Sequence, residues 1–257
     1  INAMTFTDNG NGTVSDEITG LVWEQSPDNN TYTLANATAH CSNLVLGGYS
    51  DWRLPNVYQL QSIVDYSRIM PSINTQYFFV TNSALYWTST DFGPDSRYNT
   101  ILFGGGTIHH FYVNSSYYVR CVRGTSINVG NFTNNNDGTI TDNNINLMWQ
   151  REDDNNTYTW EGALSYCENL TLSSYSDWRL PSMKEILTKA DFTQASYPLL
   201  DGNYFIDAYV SGPYGGVYFW TSTTTVDNTS RAYSFYDYAD FAAYDKTSPI
   251  YVRCVRN

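Results

Sequence analysis

Apolar and polar residues alternate at the start of the chain in a pattern typical of a β-hairpin. Residues 6–23 hold a run of Asn and Gly in which Asn11-Gly12 suits a tight turn with positive φ. Residues 132–149 repeat the pattern, with Asp137-Gly138 at the turn. In both segments we predict a returning strand that ends in a tryptophan.

Helical spacing of apolar residues follows each predicted hairpin. The predicted inner face consists of Leu34, Ala37, Cys41 and Leu44 in the first helix and of Trp160, Ala163, Cys167 and Leu170 in its counterpart. Thr33 and Thr159 stand where an N-cap is needed. A second helix is predicted after Asn56 and after Ser182, because Gln or Glu follows three residues later, as in a capping box. For the rest of each repeat, after the second helix, we predict short strands and long loops.

These parallels reflect a tandem duplication. Residues 6–55 align without a gap with residues 132–181, and about half of the aligned positions are identical. Later landmarks, Trp-Thr-Ser-Thr and the closing Val-Arg-Cys-Val-Arg, also recur, so the second repeat has a short insertion. A repeat of this length suits one compact domain. We therefore predict two domains, residues 4–124 and 130–257.

The four cysteines fall two per repeat at matching places, and none forms a C-x-x-C pair. Disulfides Cys41–Cys121 and Cys167–Cys254 are the simplest interpretation, and each would stabilise its domain by roughly 4 kcal/mol. The alternative is four buried thiols in a cytosolic protein.

Charge limits the classes of partner. The net charge is -12 and the pI is near 4.4. Binding of nucleic acid or of a sulfated polyanion relies on many Lys and Arg side chains, so neither is expected. No apolar stretch is long enough for a membrane helix, which predicts no membrane insertion.

Several motifs resemble one known family. Asn-Gly-Thr-Val-x-Asp, Asp-Trp-Arg-Leu-Pro, Trp-(Thr/Ser)-Ser-Thr and the closing Val-Arg-Cys-Val-Arg are similar to the Lcl C-terminal domain family, twice over. The resemblance implies an α+β, C-type-lectin-like fold in each repeat, with two helices and small antiparallel sheets. It also implies a bacterial protein that is secreted, periplasmic or on the cell surface, adhesin-like, with ligand binding in the long loops.

Candidates for catalysis or metal binding have simpler structural interpretations. Asp51 and Arg53 are expected to form a partly buried ion pair beside a core tryptophan. Ser89 recurs as Ser222, but no histidine recurs with them to act as a base. We expect neither catalysis nor a metal ligand set, and no cofactor. Calcium is the one cation left open, at residues 8–16 or 152–156.

The repeats diverge most at residues 91–118 and 224–251, which are rich in Tyr, Asn, Ser and Asp. Tyr provides a large contact area with little side-chain entropy to lose. The predicted ligand contacts are Tyr98, His110, Tyr112, Asn114, Tyr236, Tyr238, Asp240 and Tyr244. The alternative is that the aromatic residues pack in the β-region, as is expected of Phe103 and Phe235 at matching positions.

The sequence therefore predicts a non-catalytic, secreted or surface-exposed module that binds a glycan or a protein. A carbohydrate-active enzyme that uses Asp237 or Asp240 is the first alternative. A structural spacer within a larger surface protein is the second.

Overall fold

The structure is a computed structural model that describes residues 4–92, 96–125, 130–190, 204–206, 217–236 and 240–257. Two compact units divide the chain, Ile1–Ile127 and Asn128–Asn257. Both mix α-helices with antiparallel sheets, so the α+β class is confirmed. None of the helices in the described parts has the length and apolarity that a membrane crossing requires.

A four-stranded sheet opens and closes each unit. In unit 1 its strands are β1 (Phe6–Asp8), β2 (Thr13–Asp16), β3 (Val22–Glu24) and β7 (Val122–Arg123), paired in that order. In unit 2 they are β8 (Phe132–Asn134), β9 (Thr139–Asp142), β10 (Leu147–Gln150) and β16 (Val255–Arg256). Gly12 and Gly138 have φ of 83° and 88°, which confirms the predicted turns.

The long helices are α1 (Leu34–Asn43) and, after the short strand β11 (Thr157–Tyr158), α3 (Trp160–Asn169). The buried residues are Ala37 and Cys41 in α1 and Ala163 and Cys167 in α3, as the apolar spacing predicts. Thr159 Oγ1 accepts the Gly162 N–H at 3.2 Å, whereas the Thr33 side chain makes no capping hydrogen bond. Both threonines thus occupy the predicted N-cap position, but only the Thr159 side chain caps its helix.

The short helices are α2 (Val57–Ser62) and α4 (Met183–Leu187). Both begin with the predicted capping box, in which the side chain of Asn56 or Ser182 accepts a backbone N–H and the third residue reaches back. The third residue is Gln59 in unit 1 and Glu185 in unit 2.

A second sheet completes each unit. In unit 1 it consists of β4 (Leu85–Asp91), β5 (Arg97–Leu102) and β6 (Thr107–Tyr112). In unit 2 the order is β11, β15 (Ile250–Tyr251), β12 (Tyr218–Thr224), β13 (Arg231–Tyr236) and β14 (Asp240–Asp245). We call the antiparallel pair β5–β6 hairpin 1 and the pair β13–β14 hairpin 2. These hairpins lie in the segments where the repeats diverge.

The core of each unit surrounds a disulfide. Cys41 is bonded to Cys121 and Cys167 to Cys254, which confirms both predicted pairings. The cluster around the first bond contains Ala37, Trp52, Leu54, Trp87 and Val119, and the second contains the matching residues of unit 2. Each bond joins the long helix to the segment before the last strand.

A further aromatic contact recurs that the sequence comparison missed. Phe6 packs against Tyr77 and Phe78, at ring-centroid distances of 5.7 and 5.0 Å. Phe132 packs in the same way against Tyr204 and Phe205, at 5.6 and 5.2 Å. The two Tyr-Phe pairs lie one residue further apart along the chain than the aligned residues before them. A gapless alignment therefore does not match them.

Candidate binding surface

The closing motif holds a buried arginine in each unit. Arg120 is fully buried and donates to the carbonyls of Glu24, Gln25 and Phe79 and to Thr81 Oγ1, at 2.6 to 3.0 Å. Its counterpart Arg253 donates to the same pair of β-strand-end carbonyls in unit 2. Burial lowers the pKa of Arg253 to about 10 and also lowers that of Arg120. These cations hold the fold together.

The ion pair predicted within Asp-Trp-Arg is wrong. Asp51 instead accepts two hydrogen bonds from Arg123, at 2.7 and 3.1 Å, while Arg53 donates to Gln59 Oε1. The Arg123 guanidinium also lies 3.7 Å from the Tyr49 ring centroid. Asp51 and Arg53, on either side of a core tryptophan, thus contact different partners. The Asp51 carboxylate is 60% exposed, so the pair is not buried either.

Unit 2 repeats this arrangement at Asp177, Arg256 and Tyr175. There Arg179 forms a bidentate ion pair with Glu185, with hydrogen bonds of 2.9 and 2.7 Å. The charged residues of the repeated motif are thus bound to one another. Their role in both units is to tie the Trp-Arg-Leu-Pro segment to the last strand and to the short helix.

Hairpin 1 separates the predicted contacts onto different sides. Tyr98 is opposite Phe111, and both rings pack against the disulfide cluster. His110 lies one residue from Phe111 along the strand and therefore faces the other side. Tyr112 faces the same side as His110, is 60% exposed, and is opposite Arg97. The structure therefore groups His110 with Tyr112 but not with Tyr98.

The outer side of hairpin 1 carries a stack of rings. His110 lies parallel to the Phe92 ring at a centroid distance of 3.7 Å, and the Arg97 guanidinium lies 5.2 Å from the same ring. Asn114 is exposed in the turn that follows β6. Phe92 and Arg97 were not among the predicted contacts, although both lie in the divergent segment 91–118.

Hairpin 2 brings two of its predicted contacts together. Tyr236 stacks on Tyr218 at 4.5 Å, and Tyr244 meets the same Tyr218 ring edge-on at 5.0 Å. Tyr218 and Tyr244 also pack against the unit 2 core. Tyr238, the Asp240 side chain and Asp237, the residue of the enzyme alternative, lie outside the described residues.

Strand register shows which hairpin residues correspond. Trp87 is opposite Thr100 in unit 1, and Trp220 is opposite Ser234 in unit 2. The next residues, Ile101 and Phe235, therefore correspond. Phe103 and Phe235 are both buried as predicted, but their supposed equivalence is wrong. The same register aligns Tyr98 with Ala232, Phe111 with Tyr244 and Leu102 with Tyr236.

The aromatic side chain that covers the disulfide cluster comes from a different element in each unit. In unit 1 Tyr98 of the hairpin packs against the disulfide cluster beside Leu34. In unit 2 the hairpin position is Ala232, and Trp160 at the start of α3 packs against the cluster instead. Lys246 lies 4.0 Å from the Trp160 ring, and the indole N–H donates to the Thr221 carbonyl at 2.9 Å. Tyr98 and Tyr244 are therefore packing residues as well as candidate contacts.

A buried acid lies beside the unit 1 disulfide. Glu24 is 4% exposed and accepts the Cys121 N–H at 3.0 Å. Burial raises its pKa, against the opposing effects of that hydrogen bond and of Arg120. Ligand atoms of Glu24, His40 and Cys121 all lie within 4.8 Å of one another. Because this sulfur is in a disulfide, the oxidised chain does not offer it to a metal.

Unit 2 replaces the acid and the histidine with neutral groups. Gln150 Oε1 accepts the Cys254 N–H at 3.1 Å, and its amide donates to the Tyr166 hydroxyl at 3.0 Å. The change of Glu24 to Gln150 together with that of His40 to Tyr166 is the sequence signal that could have revealed this difference between the units.

The two acidic segments left open for calcium use their carboxylates in turns. Asp8 and Asp16 accept backbone N–H groups two residues ahead, and Asp153 and Asp154 do the same. These hydrogen bonds account for the recurring Asp and Asn residues at those turns.

Comparison with known proteins gives one family. The profile of the Lcl C-terminal domain matches residues 12–123 and again residues 138–256. No curated protein matches the chain. Since the two matches cover most of the sequence, the chain belongs to the Lcl C-terminal domain family and carries two copies of that domain in tandem.

Proposed function

We propose that the chain is a non-catalytic binding module of a secreted or surface-exposed protein, and that it recognises a glycan or a protein. In this proposal each unit is a C-type-lectin-like domain. The contacts come from the hairpins, with Tyr112, Asn114 and His110 in unit 1 and Tyr236 in unit 2 as the leading residues.

The observation that carries the proposal is the separation of roles between repeated and divergent residues. The charged residues of the repeated motifs are bound to carbonyls, to turns or to each other. The side chains that differ most between the repeats include the exposed Tyr112 on hairpin 1 and Asn114 in the turn that follows it. A duplicated domain retains what its fold needs, and its binding surfaces can change.

The chemistry of hairpin 1 suits recognition. An exposed Tyr ring can stack on a sugar or fill a protein hot spot, and its hydroxyl remains available for a hydrogen bond. The exposed Asn114 amide can donate and accept. Because Tyr98 and Tyr244 pack against the cores, we propose a secondary role for them as supports of the surface.

A location outside the cytosol is supported by the two disulfides, which persist in oxidising compartments. The family membership supports a bacterial surface role.

Three assays separate the proposal from its alternatives. A glycan array and a pull-down with candidate host or bacterial surface proteins test binding, and we expect reproducible ligands from one of them. Release of sugar from a panel of glycosides would instead indicate an enzyme. Binding to neither ligand class, with no hydrolysis, would indicate a spacer and contradict the proposal.

A further inference from the structure

The feature that carries a further inference is the set of groups around the disulfide of unit 1. Cys41 directly follows His40 on α1, and its bonded partner Cys121 lies within 4.8 Å of the ligand atoms of His40 and Glu24. Four groups that bind zinc in proteins thus converge: two cysteine sulfurs, an imidazole and a carboxylate.

We propose that the reduced form of unit 1 binds a zinc ion through Cys41, Cys121, His40 and Glu24, and that disulfide formation expels the metal. Zinc bonds of 2.0 to 2.3 Å place tetrahedral ligand atoms about 3.3 to 3.8 Å apart. The observed upper limit of 4.8 Å requires a contraction of about 1.0 to 1.5 Å at most. When the S–S bond is absent the two sulfurs can move apart, and the Cys41 sulfur then supplies the fourth ligand.

The surroundings of His40 fit this role. Its Nδ1 lies 4.0 Å from Asp28 Oδ2, and Asp28 in turn accepts a hydrogen bond from the Tyr32 hydroxyl. A carboxylate behind a histidine orients the ring and strengthens it as a ligand. The other nitrogen, Nε2, is buried and has no hydrogen-bond partner among the described residues.

Unit 2 supplies a natural control. It has the same disulfide between its long helix and its last segment, but Gln150 and Tyr166 stand in place of the acid and the imidazole. Neither an amide nor a phenol is a usual zinc ligand. The proposed site is therefore specific to one repeat, although the cysteines are common to both.

The chemistry balances without an external reductant, because a newly synthesised chain carries thiols. Binding of Zn²⁺ to the two thiols, the imidazole and the carboxylate releases two protons and leaves a site with a net charge of about -1. Formation of the S–S bond then removes two electrons from the thiolates. By thiol–disulfide exchange these electrons reduce the disulfide of an oxidant, and Zn²⁺ leaves.

Both cysteines are fully buried in the oxidised structure, so the metal must enter while the reduced chain folds. The experiment unfolds the full chain in denaturant and reduces it with a phosphine. Each disulfide, one phosphine and one water give two thiols and a phosphine oxide. The chain is then refolded without oxygen in the presence of zinc, and the bound metal is counted. We expect about one zinc ion per chain.

Matched variants locate the ion. Glu24→Gln with His40→Tyr, which introduces the unit 2 residues, should abolish binding. Cys167→Ser with Cys254→Ser should leave the single site unchanged. The reverse exchange, Gln150→Glu with Tyr166→His, should add a second zinc ion. Asp28→Asn should weaken affinity by about tenfold to a hundredfold.

Cobalt in place of zinc supplies an independent readout, since thiolate coordination gives a near-ultraviolet charge-transfer band that a site without sulfur lacks. Peptide mapping of the oxidised Glu24→Gln/His40→Tyr variant, with both native disulfides expected, shows that it still folds. Absence of zinc in the reduced wild-type chain, or equal zinc in that variant, would overturn the proposal.

Discussion

The two units exchange glutamate for glutamine at two places, in opposite directions. Glu24 of unit 1 corresponds to Gln150, and Gln59 of unit 1 corresponds to Glu185. Burial raises the pKa of Glu24. Burial also acts on Glu185, but hydrogen bonds from Arg179 and from a backbone N–H outweigh it and lower its pKa. At neutral pH Glu24 therefore destabilises unit 1, whereas Glu185 stabilises unit 2.

This comparison separates geometry from charge. Glu24 and Gln150 both accept the N–H of the disulfide-bonded cysteine through a side-chain oxygen. Gln59 and Glu185 both close a capping box and accept from the arginine of Trp-Arg-Leu-Pro. Duplication preserved the hydrogen-bond acceptor at each place, while the charge could change. At these two places the units therefore share the geometry of the hydrogen bond and differ in its charge.

The largest effect is expected from removing a disulfide, which tests whether both disulfides stabilise their units by the same amount. Replacing Cys41 and Cys121 with Ser should destabilise unit 1 by about 4 kcal/mol, because the unfolded segment regains the entropy that the link removes. The matched change at Cys167 and Cys254 should cost unit 2 a similar amount. Hydrogen exchange of the full chain reports each unit separately. A loss spread equally over both units would contradict two independently closed domains.

A smaller effect distinguishes packing residues from surface residues on hairpin 1. Tyr98→Ala should destabilise unit 1 by about 2 kcal/mol, because a half-buried ring that packs against the core is lost. Tyr112→Ala removes a ring that is 60% exposed and should leave stability almost unchanged. Chemical denaturation of the two variants gives the comparison. Equal losses would show that Tyr112 also serves the fold.

Glu185→Gln sharpens the comparison of the acids. Its pKa in the folded chain lies below that of an ordinary glutamate, so its contribution to stability is present above the ordinary pKa and is lost as pH falls through the lower folded pKa. The variant should lose about 1 kcal/mol at pH 7, a figure reduced for solvent screening because Arg179 is partly exposed. Denaturation at pH 7 and in acid should show the loss shrinking. A loss independent of pH would contradict the ionic role.

Glu24→Gln should have the smallest effect and the opposite sign. Its pKa in the folded chain lies above that of an ordinary glutamate, so the protonated form favours folding, and that advantage is lost as pH rises through the folded pKa. Gln keeps the acceptor without the buried charge, as Gln150 does. We expect unit 1 to gain stability at pH 7 and to gain less near pH 4.5. Destabilisation at pH 7 would show that Arg120 and His40 more than compensate the charge.

The sequence predicted elements that depend on local chemistry. The hairpin turns required glycine at positive φ, the capping boxes required particular polar residues, and the cysteines recurred on a helix and before a last strand. Each of these signals lies in a short stretch and needs no knowledge of distant contacts. For this reason the order of elements could be predicted correctly.

Contacts between distant segments were beyond the sequence comparison. The Asp51 carboxylate binds Arg123 rather than the nearby Arg53, and only the approach of the last strand determines this choice. The correspondence of Phe235 with Ile101 depends on strand register, which unequal loops conceal. The predicted contacts were split for the same reason, because a shift of one residue along a strand changes the side that a side chain faces.

The most direct test of the proposed function is quantitative binding by the variant Tyr112→Ala/Asn114→Ala to the ligand that the glycan array or the pull-down identifies. Val45→Ala, which truncates a side chain 74% exposed next to the end of α1, is the matched surface control. We predict that the hairpin variant weakens binding by about 1 to 3 kcal/mol, with thermal stability unchanged, and that the control binds like the wild type. Unchanged binding by the hairpin variant would contradict recognition through hairpin 1.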